Sequence, residues 1–191
     1  MDLPPILTAF REVHPQIALE ISLTNRNEDL TRREADIAVR LSRPTQAALV
    51  ARRAGETRFG LYAHRSYVER HGLPKTFADL RDHVLVGFDK GTLAMQAHQE
   101  MGSPITREAF SFRSDSVAAQ LAALRAGYGI GGCLVHVAQR EPALIPVLAE
   151  VFLIKRPVYV VMHESERATR RLRLTFDYLV TALSAFWAGP R

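Results

Sequence analysis

The stretch "ADIAVRLSR", Ala35 to Arg43, sets a short apolar run against a permanent cation. Ala35, Ile37, Ala38 and Val39 read as a strand buried on both faces, with Arg40 at its carboxyl end. In open parallel sheets, ligands bind beyond the carboxyl ends of the strands. A guanidinium placed there supplies the charge complement for an anionic ligand such as a carboxylate. The other reading of Arg40 is an ion pair with Asp36 or Glu34, and position alone leaves both open.

"FRSDSVAAQ" is a second place with chemistry in it. A strand runs into Ser114, Asp115 and Ser116, and an Ala/Leu-rich helix follows. One of the three polar residues caps the helix. A remaining hydroxyl, with the free N–H groups of the first turn, makes an anion site. "VLVGFD" ends a further strand and puts Phe88 and Asp89 at a similar edge. If two lobes face one another, Arg40, Phe88, Asp89, Ser114 and Asp115 converge on one cleft.

The remaining patterns carry less. "GYGIGG" places Gly127, Gly129 and Gly132 as G-x-G-x-x-G, but a helix runs into it and a strand follows, the reverse of a dinucleotide fingerprint. Gly127 is explained as a helix C-cap, and Gly131 and Gly132 as points of close backbone approach. The seven histidines show neither H-x-x-x-H nor H-E-x-x-H spacing, so no metal site is expected. Cys133 lies among apolar residues and reads as a small buried hydrophobe. Glu28 and Asp29 fit the first turn of a helix, where the macrodipole favours acids. No catalytic set assembles; the expectation is a protein that is not an enzyme and needs no cofactor.

The elements that must hold these residues follow from periodicity. Leu3, Ile6, Leu7, Phe10 and Val13 predict a first helix, stopped at His14-Pro15. Ile17, Leu19, Ile21 and Leu23 alternate with polar or small residues and predict a strand. "TNRNEDLTRRE" predicts a turn and short helix, and the "ADIAVR" strand comes next, a βαβ pattern of an open parallel sheet. "LVARRAG" and "TRFGLYAH" read as two further strands; Ser66 is expected to cap "YVERHG". "LAMQAHQEM" reads as a helix, while "AFSF", "GIGGCLV", "LIPVLAE" and "PVYVVMH" read as strands. Leu172, Phe176, Leu179, Leu183 and Phe186 stripe a long final helix.

Bulk composition is that of an ordinary globular chain: 191 residues, 47% hydrophobic, net charge +5. The arginines are scattered rather than interleaved with stacking aromatics, which argues against a single-strand nucleic-acid binder. A single cysteine rules out an internal disulfide, and with no basic leader followed by an apolar core, cytoplasmic residence is expected. No apolar run approaches the roughly 20 residues that span a bilayer.

Taken in order, "LPPILTAFREVHPQIALEISL", "LTRREADIAVRLSRP", "RFGLYAHRSYVERHG", "FRSDSVAAQLAALRAGYGIGGCL" and "VVMHESERATRRLRLTFDYLVTAL" resemble the effector-binding domain of LysR-type transcriptional regulators. The resemblance implies an α/β fold of two Rossmann-like subdomains joined by two crossover strands, periplasmic-binding-protein-like (type 2). Subdomain I is then residues 1–57 with 158–191, and subdomain II the inserted 58–157, with crossovers near Glu56–Arg58 and Pro157–Val158. It implies a small-molecule inducer in the inter-lobe cleft and non-enzymatic action, and a cationic, hydroxyl-lined cleft suits a carboxylate. By position the inducer contacts fall at Asn25, Arg26, Asn27, Arg40, Phe88, Asp89, Ser114 and Asp115.

The resemblance also implies a homo-oligomer. The expected two-fold interface sets Pro5–His14 and Ile17–Leu23 of one copy against Val117–Ala126 and Ile130–Val135 of the other. The winged helix-turn-helix and the first sheet strand of the family are absent from this sequence. Operator DNA is therefore expected to be met only through that missing domain. A stand-alone solute-binding protein of the same fold is the alternative.

Overall fold

The structure is a computed structural model and describes residues 3–23, 35–90 and 105–188. The chain divides into two compact units, Met1–Thr57 with Lys155–Arg191, and Arg58–Ile154.

In the first unit, α1 (Leu3–Val13) and α5 (Arg170–Ala188) cover strands β1 (Ile37–Arg40), the first half of β2 (Leu49–His64), and β7 (Ile154–His163). The predicted stripes do the packing. Leu3, Ile6 and Leu7 of α1 and Phe176, Leu179 and Leu183 of α5 close on Ala54, Val160 and Met162 of the strands. Phe10 is fully buried and meets the Tyr178 ring edge-on at 5.0 Å. Val13, predicted on the same stripe, is exposed.

Three sequence expectations change here. Ile17–Leu23 is not a strand. Ile17 and Leu19 are half-buried as the alternation requires, but Ile21 is 55% and Leu23 88% exposed, and the segment joins no ladder. Alternation reports which side chains face inward, whereas a strand also needs a neighbour to take its N–H and C=O groups. β1 is half-buried along its length and antiparallel to β7, pairing Ile37 with Met162 and Arg40 with Tyr159. It is therefore not the parallel strand buried on both faces that its composition suggested; among the described residues it stands at the end of the strand order. "LVARRAG" and "TRFGLYAH" form one continuous strand, β2. Gly55 sits in its middle at φ +145°, a conformation that other residues resist. A Cβ there would lie 2.3 Å from Cδ1 of Trp187.

The second unit is doubly wound. β3 (Leu85–Gly87) runs parallel to β4 (Phe110–Arg113) and to β5 (Ile130–Leu134), while β5 and β6 (Leu144–Val147) pair antiparallel with the second half of β2. The open parallel sheet read from the sequence is thus a mixed one. Period-two alternation divides its residues between two faces. Leu61, Ala63, Leu85 and Ile130 pack on one face with Tyr67, Leu80 and Phe152. Tyr62, Val86 and Cys133 pack on the other with Leu124 and Ala123 of α3 (Val117–Arg125) and Ala138 of α4 (Val135–Ala138).

Local signals set the ends. α2 (Arg65–His71) is capped by His64, whose Nδ1 accepts the Ser66 N–H at 3.2 Å; Ser66, the expected cap, lies inside the first turn. α3 ends in a Schellman motif: the Gly127 N–H reaches Leu124 O and the Tyr128 N–H reaches Ala123 O, with Gly127 at φ +71°. Close backbone approach belongs to Gly129 and Gly131, against the carbonyls of Val84 and Val86, and not to Gly132, whose Cβ position is open.

Candidate functional site

The second-unit edge is built where β3 and β4 end side by side. The Ser114 N–H donates to Gly87 O at 3.0 Å, joining the two strand ends. Ser116 is the N-cap of α3, its Oγ accepting the Ala119 N–H at 3.3 Å. Ser114 Oγ accepts the Ser116 N–H at 3.1 Å. Both hydroxyls therefore act as acceptors toward the helix, and each keeps its own hydrogen to donate.

The acids at this edge hold the turn together. Asp115 accepts main-chain N–H groups of Asp89 and Lys90, both at 3.0 Å to Oδ1. Asp89 pairs with Arg107, whose Nε also donates to Asp89 O at 2.9 Å. Phe88 and Asp89 are half-buried directly after β3. Thus Phe88, Asp89, Ser114 and Asp115 do come together. The cations Lys90, Arg107 and Arg113 stand against the carboxylates of Asp89, Asp115 and Glu108, so the charge balances, and the serine hydroxyls at the α3 N-terminus are the donors an oxyanion would use.

Arg40 lies in the first unit, half-buried at the end of β1 and opposite Tyr159 in the ladder. Asn25, Arg26 and Asn27 lie outside the described residues.

Sequence reasoning passed over two residues here. Arg107 gave no signal, because its partner Asp89 is 18 positions away. Gln120 had one: it sits three and four residues before Ala123 and Leu124, on the buried face of α3. A polar side chain on that face needs a partner, and its Nε2 finds one at Ser114 O, 2.6 Å away.

Elsewhere in this unit, burial keeps groups neutral. The Cys133 thiol is pushed up to about 11 by desolvation, so it is a packed hydrophobe and not a nucleophile. The His136 imidazole is pushed down to about 4, again chiefly by desolvation. Among the described residues, no group of three or more His, Cys, Asp or Glu is gathered to hold a metal, and no helix is long and apolar enough to cross a membrane.

Comparison with known proteins identifies the family and the fold. A family model described as the LysR substrate binding domain matches residues 2–184. The chain is 30% identical over 186 residues to the HTH-type transcriptional regulator CrgA of Neisseria meningitidis serogroup C (strain 8013), covering 95% of this chain and 62% of that protein. It therefore spans under two thirds of that relative's length. The solved regulatory domain of CrgA from Neisseria meningitidis is similar at a TM-score of 0.82 and 26% identity, covering 95% of this chain and 92% of that one. The regulatory domain of CcmR from Synechocystis PCC6803, in complex with 2-PG, shares the fold at a TM-score of 0.74 and 21% identity, covering 95% of this chain and 90% of that one. The fold is the periplasmic-binding-protein-like type 2 fold of LysR regulatory domains. The chain belongs to the LysR substrate-binding domain family, the effector-binding part of transcription regulators.

Proposed function

We propose that this chain senses a small anionic effector, a carboxylate, for a cytoplasmic transcription regulator and pairs with a second copy of itself, while DNA is bound by the regulator's N-terminal helix-turn-helix domain. The chain performs no chemistry on the effector. The contacts are Ser114, Asp115, Phe88 and Asp89 in the second unit and Asn25, Arg26, Asn27 and Arg40 in the first. Subdomain I is residues 1–57 with 158–191, and subdomain II is 58–157.

The observation that carries the reading is the α3 N-terminus, where Ser114 and Ser116 present two donor hydroxyls beside the end of β3. Asp115 also fixes that turn, by accepting the Asp89 and Lys90 N–H groups.

The test is a thermal-shift screen with a library of small carboxylates, followed by titration calorimetry. A binder at 100 times its dissociation constant raises stability by about 2.7 kcal/mol. Arg40→Ala should weaken that binder by about 1.5–3 kcal/mol, the scale of a charged hydrogen bond, and leave the fold intact. Undiminished binding by Arg40→Ala removes Arg40 from the site.

A further inference from the structure

A cavity of about 50 Å³ lies within the second unit, behind the strand ends just described. Its walls are apolar side chains, among them Leu85, Phe88, Phe110 and Ile130, with Gly87 and Gly131 supplying bare backbone. Among the described residues one polar side chain lines it: Gln120, 4% exposed. The Gln120 amide nitrogen is committed to Ser114 O at 2.6 Å, and its Oε1 has no hydrogen-bond partner among the described residues. An amide oxygen without a donor remains able to accept one. The Phe88 side of the cavity adjoins the loop that Asp115 holds, and Gln120 is joined to Ser114, so the cavity and the anion-facing serines share one edge.

We propose that this cavity is a second pocket of the effector site, taking a short aliphatic group that carries a hydroxyl, with Gln120 as the residue that selects it. At roughly 10–15 Å³ for each water-sized occupant, the space holds about four non-hydrogen atoms. The Gln120 Oε1 accepts the hydroxyl hydrogen, and Leu85, Phe110 and Ile130 surround the carbons. The effector class this selects is a short hydroxylated aliphatic carboxylate. The carboxylate part rests on the function proposed above; the pocket itself does not.

Two probe sets separate the two. In NMR titrations of the whole chain, 1-propanol should saturably shift the Gln120 side-chain amide and the Gly87 and Gly131 backbone amides. Xenon, which fills space without donating, should shift the surrounding Leu85 and Ile130 methyls in the wild type and in Gln120→Leu alike. Gln120→Leu should bind 1-propanol about five- to tenfold more weakly, the value of one hydrogen bond. Gln120→Met is the second variant if Gln120→Leu fails to fold. 4-Hydroxybutyrate should then bind the wild type about five- to tenfold more tightly than butyrate, and the variants should bind both acids equally. The pocket is overturned if neither xenon nor 1-propanol perturbs these residues, and Gln120 is overturned as its selector if the variants hold 1-propanol as well as the wild type does. If 1-propanol binds as expected while neither acid binds, the pocket stands and the carboxylate reading falls.

Discussion

The Asp115 carboxylate accepts the main-chain N–H of Asp89, Oδ1 to N 3.0 Å, across 26 positions of sequence. It takes the Lys90 N–H as well, and so ties the start of α3 to the loop that leaves β3. Asp115→Ala leaves both donors without this acceptor. The expected cost is about 1.5–3 kcal/mol, read as a lower urea midpoint at unchanged m-value. Asp115→Asn, which keeps one acceptor oxygen, should lose less. Equal midpoints for Asp115→Ala and the wild type would show that water replaces the carboxylate without penalty.

Gly55 and Trp187 are coupled by space. Gly55→Ala meets both an unfavourable φ and a ring atom 2.3 Å away, so a loss of about 2 kcal/mol or more is expected. Trp187→Ala in the same chain removes the obstacle but not the backbone strain. The double variant should therefore fall short of the summed losses by more than about 0.5 kcal/mol. Additivity within that margin would mean the two sites do not meet.

His136 sets a slope of stability against pH. Its folded value, about 4, lies below the ordinary histidine range because burial disfavours the charged ring. Between that value and about 6.5 the unfolded chain binds the proton first, so stability falls as pH drops through this window and levels off below it. A loss of about 1–2 kcal/mol is expected, less than the full linkage figure because the ring is only half-buried. His136→Leu should flatten the curve between pH 6.5 and 4; thermal melts across that range decide it, and an unchanged slope in the variant assigns the effect elsewhere.

The proposed pairing of two copies places α3 in an interface. Leu121 is half-buried against the unit's own core, whereas Val117 is 51% exposed at the start of the helix and Tyr128 46% exposed just past its end. Val117→Glu should leave the circular dichroism unchanged and convert a dimer into a monomer in sedimentation velocity at tens of micromolar. A wild type that is monomeric under those conditions ends the proposal, as does a variant that still pairs.

Helices were read from the sequence more securely than strands, for a physical reason. The stripes Leu3–Ile6–Leu7–Phe10 and Leu172–Phe176–Leu179–Leu183 contain both the period and the face, and each found its core. Ile17–Leu23 has an equally clean period, but a ladder partner is not a property of the segment itself. The direction of β1 against β7 is illegible likewise, since residues 119 to 125 positions apart decide it. At the site, Ser114–Ser116 could be placed because capping is local chemistry. The Arg107–Asp89 pair and the cavity behind Phe88 could not, since both arise only when distant strand ends meet. The cap at α2 differs from the expected Ser66 because the His64 ring, one residue outside the helix, takes the Ser66 N–H itself.

That histidine cap occurs twice. His64 ends β2 and His163 ends β7, and in each case Nδ1 accepts the N–H of the serine two residues on, at 3.2 Å. The serine hydroxyl lies against the same nitrogen, at 2.9 and 2.8 Å. An Nδ1 that accepts carries no hydrogen, so each neutral ring is fixed as the Nε2–H tautomer. Each of the two units therefore contains one imidazole whose nitrogen-15 spectrum is set by an intact strand end. Followed during unfolding, His64 reports on one unit and His163 on the other, as two clocks built into the same chain.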